Sequence, residues 1–314
     1  MRLSTSTGDF SGYVHDVADK IALFKGTKFK YINLEQTGDS VRGPFGEDGD
    51  AWERLAEQWG EVGAASGLTY VVSHAPCLNA FAELNDGHYQ RVVRAIRRSI
   101  EICGRLGIKR TVVHASSNPT FSFSDVLTHN RRFYTDLLDT MEKHGVTVMV
   151  ENMHELPYPS FSTGEEIRDF LDSFNHPLLA ACWDTAHWNL NGRARETDQY
   201  DHIVALGKHL KGLHVSDNLG GSAHHHSWPF AGTINFDAVL QGLIDVGYDG
   251  YFNFEASYTL LHHTNPPRRR EAWVHDGQTV SRLLDPSIEL KQRAVDLLYD
   301  IGKHMLSEYG CFEP

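Results

Sequence analysis

The sequence predicts an α/β protein, a single-domain (β/α)8 barrel of the TIM type over residues 1–314. Three observations carry this. Short β-rich runs alternate with longer amphipathic stretches along the whole chain, giving eight strand–helix units. The β runs are apolar without strict alternation, as strands buried on both faces are. Glycines stand at the returns from helix to strand, and no Gly-x-Gly-x-x-Gly follows the first strand, so the dinucleotide signature of an open doubly wound sheet is missing.

The first strand is Leu3–Ser6, followed by a short helix over Val14–Phe24. The second, Tyr31–Leu34, runs into a long connection, 36–50, and then the helix Ala51–Ser66, ended by Gly67. Strand three, Tyr70–His74, precedes the helix His88–Leu106 and Gly107. Strand four, Thr111–His114, precedes a helix over Asp125–His144, closed by Gly145. After strand five, Val146–Glu151, the tetrapeptide Thr163-Gly-Glu-Glu166 reads as a capping box opening a helix to Phe174. Strand six, Leu179–Asp184, is followed by a helix over Asp198–Leu210. Strand seven, Gly212–Val215, leads through connection 216–232 to the helix Phe236–Val246 and Gly247. Strand eight, Tyr251–Glu255, leads through connection 256–286 to the last helix, Ser287–Leu306. All three long connections leave the C-terminal ends of strands, the face on which barrel enzymes build their sites.

Composition narrows the function. Lys+Arg number 29 against 41 Asp+Glu, a formal charge of −12, which disfavours nucleic acid and anionic membranes as partners. The one basic cluster, Arg268-Arg269-Arg270, reads as a solvated loop. No apolar run approaches the roughly 18 residues of a membrane span, and the N-terminus lacks the apolar stretch of a signal peptide. The four cysteines, Cys77, Cys103, Cys182 and Cys311, form no Cys-x-x-Cys pair. This usage fits a cytoplasmic protein, with Cys77 read as a small buried side chain.

The chemistry is written at the strand ends. His74, His114, Glu151, Asp184, His214 and Glu255 each close or nearly close an apolar run. In a closed barrel these positions converge around the axis at one face. A charged group ending a buried strand is costly unless paired or bound to a metal. Glu151, Asp184, His214 and Glu255 supply three carboxylates and an imidazole, a donor set that suits Mn, Mg, Co or Zn. His187, three residues after Asp184, still faces the site and is placed to orient or polarise a substrate oxygen.

These motifs resemble the xylose-isomerase-like barrel superfamily, which includes sugar isomerases and epimerases, inosose dehydratases and endonuclease IV. The carrying pieces are Ser73-His74-Ala75-Pro76, Val113-His114, Val150-Glu151-Asn152, Trp183-Asp184-Thr185-Ala186-His187, Leu213-His214-Val215-Ser216-Asp217-Asn218, Ala231-Gly232-Thr233-Ile234-Asn235-Phe236 and Asn253-Phe254-Glu255. The resemblance implies a divalent-metal-dependent sugar isomerase or epimerase with one metal held by Glu151, Asp184, His214 and Glu255. It implies proton abstraction next to a carbonyl, with the metal stabilising the enediolate and Glu151 and Glu255 exchanging the proton. His74, His114 and His226 then line the pocket, and Trp188 and Trp228 are candidate sugar-stacking surfaces. Leu219-Gly220-Gly221 departs from the arginine that such epimerases often carry there.

Two alternatives stand beside this reading. The same apparatus can eliminate a group β to a carbonyl, as in 3-oxo-glycoside lyases that cleave C-glycosides and in inosose dehydratases. Resemblance to endonuclease IV implies a zinc phosphodiesterase acting on abasic DNA, with a multinuclear site drawing on His74, His114, His187, His224 and His226. The expected partner is a small carbohydrate or polyol. The connection 256–286 is read as a lid, a contact with a partner subunit, or packing in a homo-oligomer.

Overall fold

A computed structural model of the chain describes residues 1–36, 45, 49–154, 158–191, 197–221, 225–263 and 270–314. Its main sheet has eight parallel strands: β1 (Leu3–Ser6), β2 (Tyr31–Glu35), β3 (Thr69–His74), β4 (Arg110–Val112), β5 (Thr147–Glu151), β6 (Leu179–Asp184), β7 (Leu210–His214) and β8 (Phe252–Phe254). Each pairs with its neighbour in sequence up to β7, and β1 also pairs with β8. The ring is completed at a bridge between Val215 and Phe254. There the Val215 N–H donates to the Asn253 carbonyl at 2.8 Å and the Glu255 N–H to the Val215 carbonyl at 3.1 Å. The fold is the expected (β/α)8 barrel, with every expected strand present.

The helices are α1 (Val17–Ala22), α2 (Ala51–Ser66), α3 (Asp86–Arg105), α4 (Phe123–Thr135), α5 (Leu138–His144), α6 (Gly164–Phe174), α7 (Thr185–Asn189), α8 (Gln199–Leu206), α9 (Phe236–Asp245) and α10 (Ile288–Glu308). The capping box at α6 is present, with Thr163 and Glu166 each bonding the other's backbone N–H. Gly67 and Gly145 close α2 and α5 in the left-handed conformation, φ 70° and 60°.

Three elements depart from expectation. The helix expected over 125–144 breaks between α4 and α5. The Asp136 carbonyl accepts the Arg97 guanidinium Nε of α3 at 2.9 Å instead of continuing the helical ladder. A short helix, α7, follows β6 directly, because the Asp184 carboxylate caps it by accepting the His187 N–H at 2.7 Å. Connection 256–286 contains an antiparallel hairpin, β9 (Trp273–His275) and β10 (Gln278–Val280), turned by Asp276 and Gly277 at positive φ. Most of connection 36–50 lies outside the described residues.

Strand periodicity positions the site. Val72, Val112, Met149, Ala180 and Cys182 form a separate apolar cluster. Two residues beyond four of them stand His74, His114, Glu151 and Asp184. Residues i and i+2 of a strand share a face, so the strands point apolar side chains into the barrel and then polar ones at its C-terminal mouth. On β7 the apolar place is taken by Gly212, two residues before His214. A Cβ at Gly212 would meet Met149 Sδ at 2.7 Å, so the glycine makes room for the Met149 side chain across the barrel.

Candidate metal centre and active site

Glu151, at the end of β5, is fully buried. Its Oε1 lies 2.8 Å from His214 Nδ1 and its Oε2 lies 2.9 Å from His114 Nε2. His214 Nδ1 is also 2.9 Å from Glu255 Oε2 and 4.0 Å from Asp184 Oδ2. One donor atom from each of Glu151, Asp184, His214 and Glu255 lies within 4.8 Å of the others.

The backbone braces this arrangement. Asn152 Nδ2 donates to the Asp184 carbonyl at 2.9 Å, and the Asp184 N–H donates to Asn152 Oδ1 at 2.6 Å, locking the ends of β5 and β6 together. His187 Nδ1–H donates to the Asn152 carbonyl at 2.9 Å, which leaves Nε2 as the acceptor in the neutral ring. His226 packs edge-on to His187, with Nδ1 3.0 Å from Ser216 Oγ and 3.8 Å from Asp184 Oδ2. His74 Nδ1–H donates to the Ala75 carbonyl at 2.6 Å, and its Nε2 faces His114 Nε2 at 3.0 Å.

The electrostatics call for a cation. Burial opposes ionisation of Glu151, yet His214 and the hydrogen bonds from His114, His214 and His74 hold it well below the usual carboxylate range. Glu255 is likewise held low against its burial by His214. Burial works against protonation of His214, but the neighbouring Cys182, Glu151 and Glu255 raise it well above the usual imidazole range. Burial, with the charges of Glu151 and Glu255 and against the pull of His226, pushes Asp184 up to about 7. Among the described residues, no hydrogen-bond donor reaches Asp184 Oδ2. A single Nδ1 proton of His214 is thus shared by two carboxylates while a third carboxylate oxygen beside it is unsatisfied. A divalent ion in place of that proton satisfies all four groups, so the residues fit a metal.

The sequence-derived site is therefore assembled for His74, His114, Glu151, Asp184, His187, His214, His226 and Glu255. Three calls fare differently. Trp188 is a correction: it is 2% exposed and packs in the core against Trp183 and His202, so its face is not open to a sugar. Trp228 is half-buried against the core. His224 lies outside the described residues, as do Arg268 and Arg269, while Arg270 Nε donates to the Leu284 carbonyl at 2.7 Å.

Other groups were missed. Cys77, read as a buried thiol, is exposed beside His74 and His114. Glu35, at the end of β2, accepts the Ser6 hydroxyl, and Thr7 Oγ1 accepts the Glu35 N–H at 3.0 Å. A carboxylate closing the apolar run Tyr-Ile-Asn-Leu was the same signal used for the other strands. Asp9 and Lys291 are both buried. Burial pushes the Asp9 carboxyl up to about 6 against the pull of Lys291, and lowers the Lys291 ammonium to about 8. No spacing in the sequence links these two residues.

Comparison with known proteins shows what the chain is similar to. The family model described as xylose isomerase-like TIM barrel matches residues 22–282. A ketose 3-epimerase of Arthrobacter globiformis is 26% identical over 112 residues, 36% of this chain and 35% of that protein. An inosose isomerase of Bacillus licheniformis is 26% identical over 188 residues, 57% of this chain and 66% of that protein. A probable endonuclease 4 of Mycoplasmopsis pulmonis is 24% identical over 180 residues, 55% and 62% of the two chains. The matches to these curated relatives thus span less than two thirds of each relative's length. Among solved structures, D-psicose 3-epimerase from Clostridium cellulolyticum H10 superposes with a TM-score of 0.72 at 15% identity, covering 98% of this chain and 99% of that one. No described helix is long and apolar enough to cross a membrane.

Proposed function

The chain belongs to the xylose isomerase-like TIM barrel family, and on that premise we propose that it is a divalent-metal-dependent sugar isomerase or epimerase. The observation that carries the proposal is the convergence of Glu151, Asp184, His214 and Glu255 on one point, with Asp184 Oδ2 unsatisfied. These four residues would hold the ion. When bound, it supplies Lewis-acid polarisation of adjacent substrate oxygens.

The chain's own residues do the rest. Glu151 and Glu255 approach His214 Nδ1 from different strands, at 2.8 and 2.9 Å, so two carboxylates flank the place where a substrate carbon can sit. One takes the proton from the carbon next to the carbonyl and the other returns it, to the opposite face in epimerisation or to the neighbouring carbon in isomerisation. His187, its Nδ1–H fixed on the Asn152 carbonyl, accepts a substrate hydroxyl at Nε2 and orients it. His74, His114, His226 and the half-buried Trp228 line the pocket in this reading. The relatives' substrates, a ketose and an inosose, support a small carbohydrate or polyol. The proposal treats residues 1–314 as one catalytic unit. It places the enzyme in the cytoplasm, because all four thiols are free.

A second reading, a zinc phosphodiesterase on abasic DNA, is favoured by the gathering of Asp184, His187 and His226 into a further metal-capable group. The −12 charge weighs against it. One experiment separates the readings. The metal-loaded protein is incubated in D2O with ketoses, keto-inositols and 3-oxo-glycosides, and separately with abasic duplex DNA. Deuterium next to the carbonyl, with a new epimer or isomer, is expected. Release of a leaving group assigns the lyase chemistry instead, and strand nicking without sugar turnover assigns the nuclease.

A further inference from the structure

The connection after β8 carries a metal-capable group of its own. This segment leaves the barrel at Glu255, contains the β9–β10 hairpin and returns at α10. His262 and His263 stand before the hairpin and Asp285 after it. One donor atom from each lies within 4.8 Å of the others, and none of the three belongs to the group around Glu151.

The neck of the connection is held from several directions. The His263 N–H donates to Asp285 Oδ1 at 2.7 Å, joining residues 22 apart in the chain. The Tyr13 hydroxyl donates to the Leu260 carbonyl at 2.6 Å. Arg270 donates through Nε to the Leu284 carbonyl at 2.7 Å and through Nη2 to the Leu261 carbonyl. Its guanidinium is thereby engaged by carbonyls on both sides of the neck, with Nη2 3.9 Å from Asp285 Oδ1. The other carboxylate oxygen, Oδ2, is the one the histidines share.

Asp285 Oδ2 lies 2.7 Å from His263 Nδ1 and 3.4 Å from His262 Nε2, and all three side chains are half-buried. The rings of these adjacent residues are drawn together, 4.7 Å between centroids, and His262 also meets Tyr13 edge-on at 5.6 Å. Successive residues can reach one ion because His262 offers its far nitrogen and His263 its near one. Zinc with bonds of about 2.0–2.1 Å in tetrahedral geometry has donor–donor edges of about 3.3–3.4 Å. The His262–Asp285 pair already has that spacing. The His263–Asp285 pair opens to it when an ion replaces the hydrogen-bonding proton. Against the cost of burial, hydrogen bonds from the His263 N–H and ring hold the Asp285 carboxyl below the usual carboxylate range, so it is an anion ready to serve as a ligand.

We propose that His262, His263 and Asp285 form a zinc site that clips together the two ends of this connection, with water in the fourth position. The Nδ1 lone pair of the neutral His263 ring forms the bond to zinc, and the proton it held passes through solvent to Nε2. An ion that joins the ends of a loop this long offsets part of the chain entropy lost in ordering it. The proposal needs only these three side chains and does not rest on the epimerase reading.

The test uses the full chain, stripped of metal and titrated with Zn(II) against a chromophoric chelator. His262→Ala is the decisive variant, because it keeps the His263–Asp285 pairing that holds the neck. It should bind one equivalent fewer than the wild type, whereas Asp184→Asn should lose a different equivalent and keep this one. A second readout is tryptic cleavage after the exposed Arg282. Zn(II) should slow it at least tenfold in the wild type and in D184N but not in H262A, while the metal-free proteins are cut at equal rates. Equal zinc stoichiometry in wild type and H262A, or equal protection of the two by zinc, overturns the proposal. Neither readout involves sugar turnover, so failure here and failure of the epimerase reading remain distinct.

Discussion

Glu151 and His214 meet across the barrel mouth, Oε1 to Nδ1 at 2.8 Å, although they end strands that are not neighbours in the sheet. The strand between them, β6, contributes Asp184. The contact therefore draws three successive strand ends onto one point, and Glu255 reaches the same nitrogen from β8.

Glu255→Gln tests the acid/base assignment. The side chain is 21% exposed and lies just beyond the β8 ladder, so an isosteric amide leaves the barrel folded. Turnover should fall by about 10²-fold or more, the usual contribution of a positioned acid or base. Circular dichroism and kcat measured together check this; full activity in a folded variant removes Glu255 from the mechanism.

Asp184→Asn separates metal binding from folding. The amide oxygen can still cap α7 through the His187 N–H, while the unsatisfied buried charge beside Glu151 and Glu255 disappears. The metal-free variant should be as stable as the wild type or more so. The rise in Tm on adding a divalent ion, which follows mass action on the folded state, should be largely lost. Thermal unfolding with and without metal reads both.

Gly232→Ala tests how the loop carrying His226 is held. The Asp217 carboxylate accepts the Gly232 N–H at 2.8 Å and the Ile234 N–H at 3.2 Å, folding the connection after β7 back on itself. A Cβ at residue 232 collides with the Asn218 carbonyl and with Asp217 Oδ1. Because one obstacle is backbone, the variant should lose about 1–3 kcal/mol of stability in denaturant unfolding. A loss near zero would mean that the loop relaxes freely.

Much of this site was legible in the sequence because a barrel strand is apolar along its length and can end in a charge only where that charge is used. His74, Glu151, Asp184 and His214 each announce themselves in this way. What escaped depends on contacts between distant segments. Cys77 looks like any small thiol until the Ala-Pro turn sets it beside His114. Trp188 follows the Asp184 motif closely, yet α7 rotates it into the core against His202. At the helix break the Asp136 carbonyl is held by an arginine from α3, a contact that no local propensity reveals. The β9–β10 hairpin was readable: Asp276-Gly277 is a two-residue turn signal that both φ values, 49° and 73°, obey.

The buried charges Asp9 and Lys291 predict a pH-dependent variant. With the Asp9 carboxyl at about 6, above the usual 3.8 of an aspartate, folding favours the protonated acid. That contribution is complete below the unfolded value and is lost as pH rises through the folded one. Lys291→Met leaves Asp9 without its compensating cation. The variant should lose about 3 kcal/mol at about pH 8, where Asp9 must be buried as an unpaired anion or take up a proton against the pH, and much less at about pH 5, where it is already neutral. Urea unfolding at the two pH values checks the sign; a loss independent of pH would show that Lys291 acts only through the carbonyls of Ser257 and Thr259.

The central claim is that one cation sits between Glu151, Asp184, His214 and Glu255. Anomalous diffraction from crystals of the chain loaded with Mn(II) tests it most directly. The account predicts a peak within about 2.0–2.3 Å of a donor atom from each of the four residues. No peak at the mouth, or one whose neighbours leave out two or more of them, would contradict it.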